Sequence, residues 1–165
     1  MAKFTSTKLS HPFEPFINET SEMLILGTFP SIKSIENDFY YSHPQNQFWK
    51  ILAEVFNDKT PTTNDEKKAF LKKHKIALWD TVCKCERKEN NSKDSNLKIL
   101  KPCDIKALLQ KYPKIKKIAL TSKTAQKVFD KYFKDLNAIY LPSPSPLYAS
   151  MKLNEKVKIW KKLLQ

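Results

Sequence analysis

The sequence predicts an α/β protein, a three-layer sandwich with a central four-stranded parallel sheet. Four short apolar runs have the length and composition of buried strands. Between them lie segments in which apolar residues recur every three or four positions, as in amphipathic helices. Strands that alternate with helices are typical of a parallel sheet covered by helices. The 165 residues contain no repeat or linker, so we expect a single domain over residues 1–165.

The first half of the chain carries two of these strands. The first strand is MLILG at 23–27, and the predicted helix that follows, at 46–56, has its apolar residues on one face. A shorter and mostly exposed helix at 65–74 precedes the second strand, IALWDTV at 76–82.

The second half continues the alternation. Asp104 is the predicted N-cap of a helix that precedes the third strand, KKIALT at 116–121. Ser122 is the predicted N-cap of the next helix, and AIYL at 138–141 is the fourth strand. In the last helix, lysines are interspersed among four apolar residues that face inward: Leu153, Val157, Trp160 and Leu164.

The loops at the carboxyl ends of the strands are the expected place for a ligand, as in other open parallel sheets. Three loops qualify, at 27–47, 83–98 and 142–150, and each is unusually polar, proline-rich or aromatic. The sequence therefore predicts a functional site at these loops. It leaves open whether the segment 84–98 is ordered without a ligand.

The positive charge of the chain allows two interpretations. Lysine and arginine number 30 against 17 aspartates and glutamates, which gives a net charge of +13, and only Arg87 is an arginine. A lysine-biased composition would explain this charge without any function. Attraction to phosphate would instead indicate a nucleic-acid partner.

We expect a cytoplasmic protein without membrane contact. No apolar run reaches the roughly 18 residues of a membrane span, and the N-terminal segment lacks the apolar core of a secretory signal. In a reducing compartment, Cys83, Cys85 and Cys103 are expected to be reduced structural thiols. Two close cysteines without a nearby histidine are too few ligands for a closed zinc site, so no metal site is expected.

Gly27 is the only glycine of the chain, and it lies where the first apolar run meets a Pro-Ser turn. A glycine there permits positive φ or lets a ligand approach the backbone closely, although it can also serve the turn alone. The segment DFYYSHPQNQFW at 38–49 then places aromatic rings beside carboxamides. A protein that stacks a nucleobase and reads its edge needs these residue types.

Together, LILGTFPS…FYYSHPQNQFW, ALWDTVCKCERK…DSN and LPSPSP resemble the uracil-DNA glycosylase superfamily, and within it the hypoxanthine-DNA (deoxyinosine) glycosylases. HPQNQFW is the most specific of these motifs, and the resemblance covers nearly the whole chain. It implies a hydrolase of N-glycosyl bonds that removes a deaminated base from DNA and uses no metal. We also expect a monomer that needs no cofactor.

The resemblance assigns substrate binding to the first motif, which consists of Gly27, Thr28, Phe29, Pro30 and Ser31. Other branches carry an Asp or Asn in this motif that positions the attacking water. Phe29 stands in that place and cannot polarise water. In the hypoxanthine branch a carboxamide from the following segment takes over the role, which makes Asn46 the catalytic candidate.

Further roles follow from the same resemblance. Tyr41 occupies the base-stacking position. His43 either donates a hydrogen bond to the base or simply holds the turn before Pro44. Ser95, with its neighbours Asp94 and Asn96, is expected to line the pocket and contact the substrate.

The loop after the fourth strand is the second motif, which in relatives pinches the DNA backbone. Ser143 and Ser145 are the candidate phosphate ligands. Leu147 or Tyr148 is the candidate wedge that enters the base stack. No lysine stands out as a Schiff-base nucleophile, so we expect a monofunctional enzyme.

Three other polar residues are expected to be less central. Asp80 either anchors the site from behind or caps a helix, and a structural role is favoured. His11 and His74 are expected on the surface.

Two alternatives stay open. The absence of a water-positioning residue at Phe29 would suit a catalytically degenerate member of the superfamily that binds nucleic acid without excising a base. The same fold could also serve a glycosylase for uracil, xanthine or mismatched bases.

Overall fold

The computed structural model describes residues 6–88, 94 and 97–165. Within these residues the secondary-structure elements follow in the order β1 (Ser6–Ser10), β2 (Met23–Gly27), α1 (Ile32–Glu36), α2 (Phe48–Val55), α3 (Asn64–Lys73), β3 (Ile76–Asp80), β4 (Val82–Lys88), β5 (Leu97–Pro102), α4 (Ile105–Lys111), β6 (Lys117–Leu120), α5 (Lys123–Tyr132), β7 (Ile139–Tyr140) and α6 (Leu153–Leu164).

The central sheet has the order β3-β2-β6-β7, and all its pairs are parallel. These are the four strands that the apolar runs predict, so the α/β fold class is confirmed. The predicted caps are also present, because the side chain of Asp104 accepts a hydrogen bond from the backbone N–H of Ala107, and that of Ser122 from Ala125. In register, Gly27 at the end of β2 lies opposite Asp80 at the end of β3.

Helices cover both faces of this sheet. On one face α2, α3 and α6 pack around Phe48, Leu71 and Trp160, all of which are buried. On the other face α4 and α5 pack around Ile105 and Phe129. Each face of the sheet therefore has its own apolar core, which gives the three layers.

A second, antiparallel sheet of the order β1-β4-β5 was not predicted. The sequence predicts a second strand that ends at residue 82 and a loop at 83–98. In the structure β3 ends at Asp80 and β4 begins at Val82, so the chain passes directly from one sheet into the other. Both β4 and β5 are rich in lysine, which hides the weak alternation of buried and exposed residues.

The expectation of three reduced thiols is wrong in part. Cys83 and Cys103 form a disulfide, with their Cα atoms 4.8 Å apart, while Cys85 is free and buried. The two bonded cysteines are 20 residues apart in sequence. They meet because β4 pairs with β5, which is the pairing that the sequence did not reveal.

No helix in the described part of the chain is long and apolar enough to cross a membrane. Likewise, among the residues that the structure describes, no three His, Cys, Asp or Glu side chains converge as metal ligands would.

Candidate active site

A cleft of about 1090 Å³ opens at the carboxyl ends of the parallel strands. It is bounded by the turn after β2, the loop before α2, the start of α5 and the loop after β7. The site residues predicted from the sequence line this cleft wherever the structure describes them: Gly27, Thr28, Phe29, Pro30, Ser31, Tyr41, His43, Asn46, Ser143, Ser145, Leu147 and Tyr148. Ser95 and Asn96 lie outside the described residues.

The reason for a glycine at position 27 is the close approach of side chains from the protein itself. The backbone of Gly27 does not have positive φ, so of the proposed reasons for a glycine this one does not apply. A Cβ at this position would lie 2.7 Å from Asp80 Oδ1, 2.9 Å from the Tyr41 hydroxyl and 3.6 Å from Thr121 Oγ1. The missing side chain thus leaves room for a carboxylate and two hydroxyls at the floor of the cleft.

Asp80, at this floor, forms a buried pair with His11. His11 Nε2 lies 2.7 Å from Asp80 Oδ2, and the two side chains are only 3% and 6% exposed. The backbone N–H of Phe13 donates to His11 Nδ1 across 3.1 Å, which fixes the ring. The expectation that His11 lies on the surface is therefore wrong, and Asp80 anchors the site rather than capping a helix.

The pairing of β1 with β4 places His11 there. This strand pair ends with Ser10 opposite Lys84, and the backbone N–H of His11 donates to the carbonyl of Cys83 across 2.7 Å. Because no sequence pattern indicates the antiparallel sheet, the position of this histidine could not be predicted. His74, which is also expected on the surface, is mostly covered: its side chain is 14% exposed, and its Nε2 lies 2.8 Å from Asp58 Oδ2.

Tyr41 forms an aromatic wall of the cleft in a fixed orientation. Its ring stacks on Phe48 with centroids 3.8 Å apart and planes 7° from parallel. The hydroxyl lies 3.0 Å from Thr121 Oγ1, and the backbone has the uncommon φ of 53°. Burial, with a smaller contribution from the charge of Asp80, raises the pKa of Tyr41, so the side chain is a neutral phenol.

The catalytic candidates Asn46 and His43 each have a role in shaping their loop. Asn46 Oδ1 accepts a hydrogen bond from the backbone N–H of Phe48 across 2.9 Å, at the start of α2. His43 Nδ1 accepts one from the backbone N–H of Gln45 across 3.1 Å. A carbonyl oxygen has a second lone pair, so Asn46 Oδ1 can still accept a hydrogen bond from another group in the cleft.

The turn after Gly27 is held from below by the single arginine of the chain. Arg87 is 4% exposed, donates through Nη2 to the carbonyl of Pro30 across 2.9 Å and lies 5.5 Å from the centroid of the Phe29 ring. Phe29 is buried against Val82. Arg87 is therefore a buried support of the first motif, a role that no local sequence pattern indicates.

A second carboxyl group, Asp94, lines the cleft on the side of α5. Thr28 Oγ1 donates to Asp94 Oδ2 across 2.9 Å and also lies 2.7 Å from Ser122 Oγ. Burial is the main cause that raises the pKa of Asp94, and the negative charge of Asp80 raises it further. The cleft therefore holds two carboxyl groups in different environments.

The loop after β7 is braced by its own hydroxyls. Ser143 Oγ accepts from the backbone N–H of Ser145, and Ser145 Oγ from that of Leu147, both across 3.2 Å. Leu147 at the tip of the loop is 69% exposed, the most exposed of the large hydrophobic residues described.

A buried lysine of α6, which the sequence analysis did not single out, holds the same loop from behind. Lys156 is 1% exposed, and its Nζ donates to Gln47 Oε1 across 2.8 Å. The same atom lies 5.3 Å from the centroid of the Tyr148 ring. Tyr148 is therefore engaged within the protein, whereas Leu147 projects from it.

The crowding at Gly27 makes a prediction for Gly27→Ala. Because the added Cβ forces Asp80 or Tyr41 to move, the free energy of unfolding should fall by about 1–3 kcal/mol. Urea denaturation measures this change. In a Tyr41→Phe background one of the two closest atoms is absent, so the same substitution should cost less. An unchanged stability in Gly27→Ala would contradict the crowding.

Comparisons with known proteins agree with this architecture. The family model described as the uracil DNA glycosylase superfamily matches residues 14–164. A solution NMR structure of a Methanosarcina acetivorans protein, provisionally described as a uracil DNA glycosylase, superposes with a TM-score of 0.76 at 25% identity. The superposition covers 93% of this chain and 97% of that one.

Two curated relatives carry the name hypoxanthine DNA glycosylase. The protein from Methanosarcina barkeri strain Fusaro is 39% identical over 87 residues, which are 52% of this chain and 54% of that protein. The protein from Methanosarcina acetivorans strain C2A is 33% identical over 114 residues, which are 68% of this chain and 71% of that protein. The aligned part thus spans only about half of the first relative. With the family match over residues 14–164 and the shared fold, these findings establish that the chain belongs to the uracil DNA glycosylase superfamily.

Proposed function

We propose that this protein is a monofunctional DNA glycosylase that hydrolyses the N-glycosidic bond of a deaminated base, hypoxanthine, in DNA. The product would be an abasic site, the starting point of base excision repair. The observation that carries the proposal is the cleft at the ends of the parallel strands, in which the fixed ring of Tyr41, the carboxamide of Asn46 and the projecting Leu147 surround one space. The names of the two curated relatives support the choice of base.

Binding to DNA would begin with the attraction between the positively charged protein and the DNA phosphates. The chain carries a net charge of +13, and Lys33 and Lys123 lie at the cleft itself. Such charge gives affinity for phosphates that depends on salt and not on sequence. Ser143 and Ser145 line the same cleft, and we assign them to phosphates of the strand that carries the lesion.

The reaction requires that the damaged nucleotide leave the helix. Extrusion costs a few kcal/mol and is easiest for a mispaired base, which contributes to selectivity. Leu147 would fill the space that the base vacates, because it is exposed at the tip of a braced loop. The extruded base would stack on Tyr41, whose other ring face is already covered by Phe48.

Hydrolysis then proceeds through an oxocarbenium-like sugar. Asn46 Oδ1, which already accepts from Phe48 N–H, would use its second lone pair to orient the attacking water. The water oxygen bonds to the sugar C1′ and gives up a proton to solvent, while the C1′–N9 bond breaks and its electron pair leaves with the base. A neutral amide is a poor base, so stabilisation of the leaving base has to supply much of the rate acceleration.

The remaining features of the proposal follow from the same scheme. The hydrolysis takes water as its only co-reactant, and no cofactor is assigned to it. We place one catalytic domain over residues 1–165, acting as a monomer in the cytoplasm, and Ser95 among the substrate contacts. His43 is assigned as a donor to the base.

One observation favours a second function, a superfamily member that binds nucleic acid without excising a base. Phe29 stands where other branches position water, and it is buried against the protein core. A glycosylase for uracil, xanthine or a mismatched base is a variant of the first proposal, and a panel of altered bases distinguishes it.

The first experiment uses labelled duplexes that contain deoxyinosine, deoxyuridine or no lesion. Purified protein should produce breaks in the deoxyinosine strand only after alkali treatment, because a monofunctional enzyme leaves an intact abasic site. Breaks without alkali would contradict the monofunctional assignment. Tight, salt-sensitive binding without cleavage of any duplex would favour the binding function instead.

Variants of Asn46 separate its two roles. Asn46→Ala removes both the acceptor for Phe48 N–H and the amide, so it should lower the single-turnover rate about 100-fold or more and cost about 1 kcal/mol of stability. Asn46→Asp keeps the acceptor, so it should restore stability. Duplex affinity, measured in parallel, should change little. An Asn46→Ala enzyme that keeps its rate would remove Asn46 from catalysis.

If Leu147 is the wedge, replacing it should reduce binding and excision only on substrates whose damaged nucleotide has to leave a duplex. Leu147→Ala should weaken duplex binding and excision by up to about 1.5–3 kcal/mol, the value of a buried leucine side chain, with little effect on single-stranded substrates. Leu100→Ala is the matched control, since Leu100 is 45% exposed on β5 and does not line the cleft. Equal losses in the two variants would contradict a wedge at Leu147.

A further inference from the structure

The cleft contains two carboxyl groups that are held in different ways. Asp80 lies at the floor of the cleft, 2.7 Å from His11 Nε2. Asp94 lies across the end of β2 and receives a hydrogen bond from the Thr28 hydroxyl, with Thr124 of α5 as a second hydroxyl partner. Among the residues that the structure describes, no lysine, arginine or histidine lies within ion-pair distance of Asp94. Within the described residues, Asp80 is therefore paired with a histidine, whereas Asp94 is held by hydroxyl groups.

The charged groups around Asp94 act on its proton in opposite directions. Burial and the negative charge of Asp80 on β3 raise the pKa of Asp94. Arg87 on β4 and the hydroxyls of Thr28 and Thr124 lower it, but the net shift is upward. The remaining titratable groups that line the same cleft are Lys33, Tyr40, Tyr41, His43, Lys123, Tyr140 and Tyr148. Two carboxyl groups whose environments differ in this way are a common arrangement of an acid and a base in one site.

The leaving base of the proposed reaction contains an atom that can accept a proton from a carboxyl group. Hypoxanthine is a purine, and its N7 can accept a proton. If N7 is protonated, the base is neutral, not an anion, after N9 has taken the electron pair of the C1′–N9 bond. General acid catalysis of this kind typically contributes about 10²–10⁴-fold to a rate. It would supply the stabilisation of the leaving base that Asn46 alone cannot give.

We propose that Asp94 is the general acid of the reaction and gives its proton to N7 of the leaving purine. This inference rests on the proposed function. The Asp94 O–H bond breaks as the N7–H bond forms, the C1′–N9 bond breaks with its electron pair going to N9, and the water oxygen bonds to C1′. The water proton passes to solvent, and solvent returns a proton to Asp94 after the base leaves.

The proposal predicts a pH dependence of the rate. Asp94 must be protonated to act, so the single-turnover rate of the wild type should fall by about tenfold per unit of pH above the pKa of Asp94. Asp94→Asn cannot donate this proton. It should lower the rate on deoxyinosine about 100-fold at the optimum and should lack the alkaline decline.

Stability provides the folding control. A carboxyl group with a raised pKa in the folded state contributes stability below its ordinary pKa, and this contribution is lost as the pH rises through the folded pKa. Asp94→Asn keeps an acceptor for the Thr28 hydroxyl and removes the buried charge. Its melting temperature at alkaline pH should therefore equal or exceed that of the wild type.

The deciding experiment combines this variant with a change in the substrate. Duplexes carry deoxyinosine or 7-deaza-2′-deoxyinosine, in which a C–H group replaces N7, and single-turnover rates are measured with wild type and Asp94→Asn. If Asp94 protonates N7, the variant should lose about 100-fold on deoxyinosine but stay within about threefold of the wild type on the deaza substrate. Equal losses on both substrates would overturn the proposal and leave Asp94 a structural residue.

Failure of this inference can be told from failure of the proposed function. A wild-type protein that releases no hypoxanthine from deoxyinosine duplexes refutes the function before any variant is compared. A wild type that excises hypoxanthine, with an equally active Asp94→Asn, refutes only the role of Asp94. If both proteins leave the deaza substrate intact, the pH profiles decide: an alkaline decline that persists in the variant overturns the proposal, and its absence from the variant supports it.

Discussion

The packing around Gly27 is the constraint on which the cleft depends. The register of β2 and β3 sets Gly27 opposite Asp80, and the carboxylate oxygen then lies where a side chain at residue 27 would project. Tyr41 reaches the same space from the loop before α2. Because these groups share the volume of one absent Cβ, the strand register, the aromatic wall and the buried carboxylate are coupled.

Two buried charged groups beside the cleft contact groups far away in the sequence. Asp80 is paired with His11, and Arg87 donates to the carbonyl of Pro30. Losing one partner of a buried charge typically costs several kcal/mol, more than the pair itself contributes. The antiparallel sheet supplies Arg87 directly and brings His11 into place through β1, so this sheet supports the site and does not merely extend the fold.

Much of the fold can be predicted from the sequence because its signals are local. The four parallel strands are short apolar runs, and Asp104 and Ser122 mark helix starts through hydrogen bonds to residues three positions on. The antiparallel sheet lacks such a signal, since VCKCERK and LKILKP carry lysines along their length. The disulfide between Cys83 and Cys103 was missed for the same reason, because only the pairing of β4 with β5 joins them.

The sequence by itself determined the order of the elements, the end of the sheet at which the cleft opens and most of the residues that line it. Only the tertiary structure decided which residues these contact. His11 reaches Asp80 over 69 positions of sequence, Arg87 reaches Pro30 over 57, and Gly27 is a glycine because Asp80 lies beside it. Periodicity and caps depend on neighbours a few positions apart, whereas contacts of this range depend on which strands pair and in what register, and this is settled only when the whole chain packs.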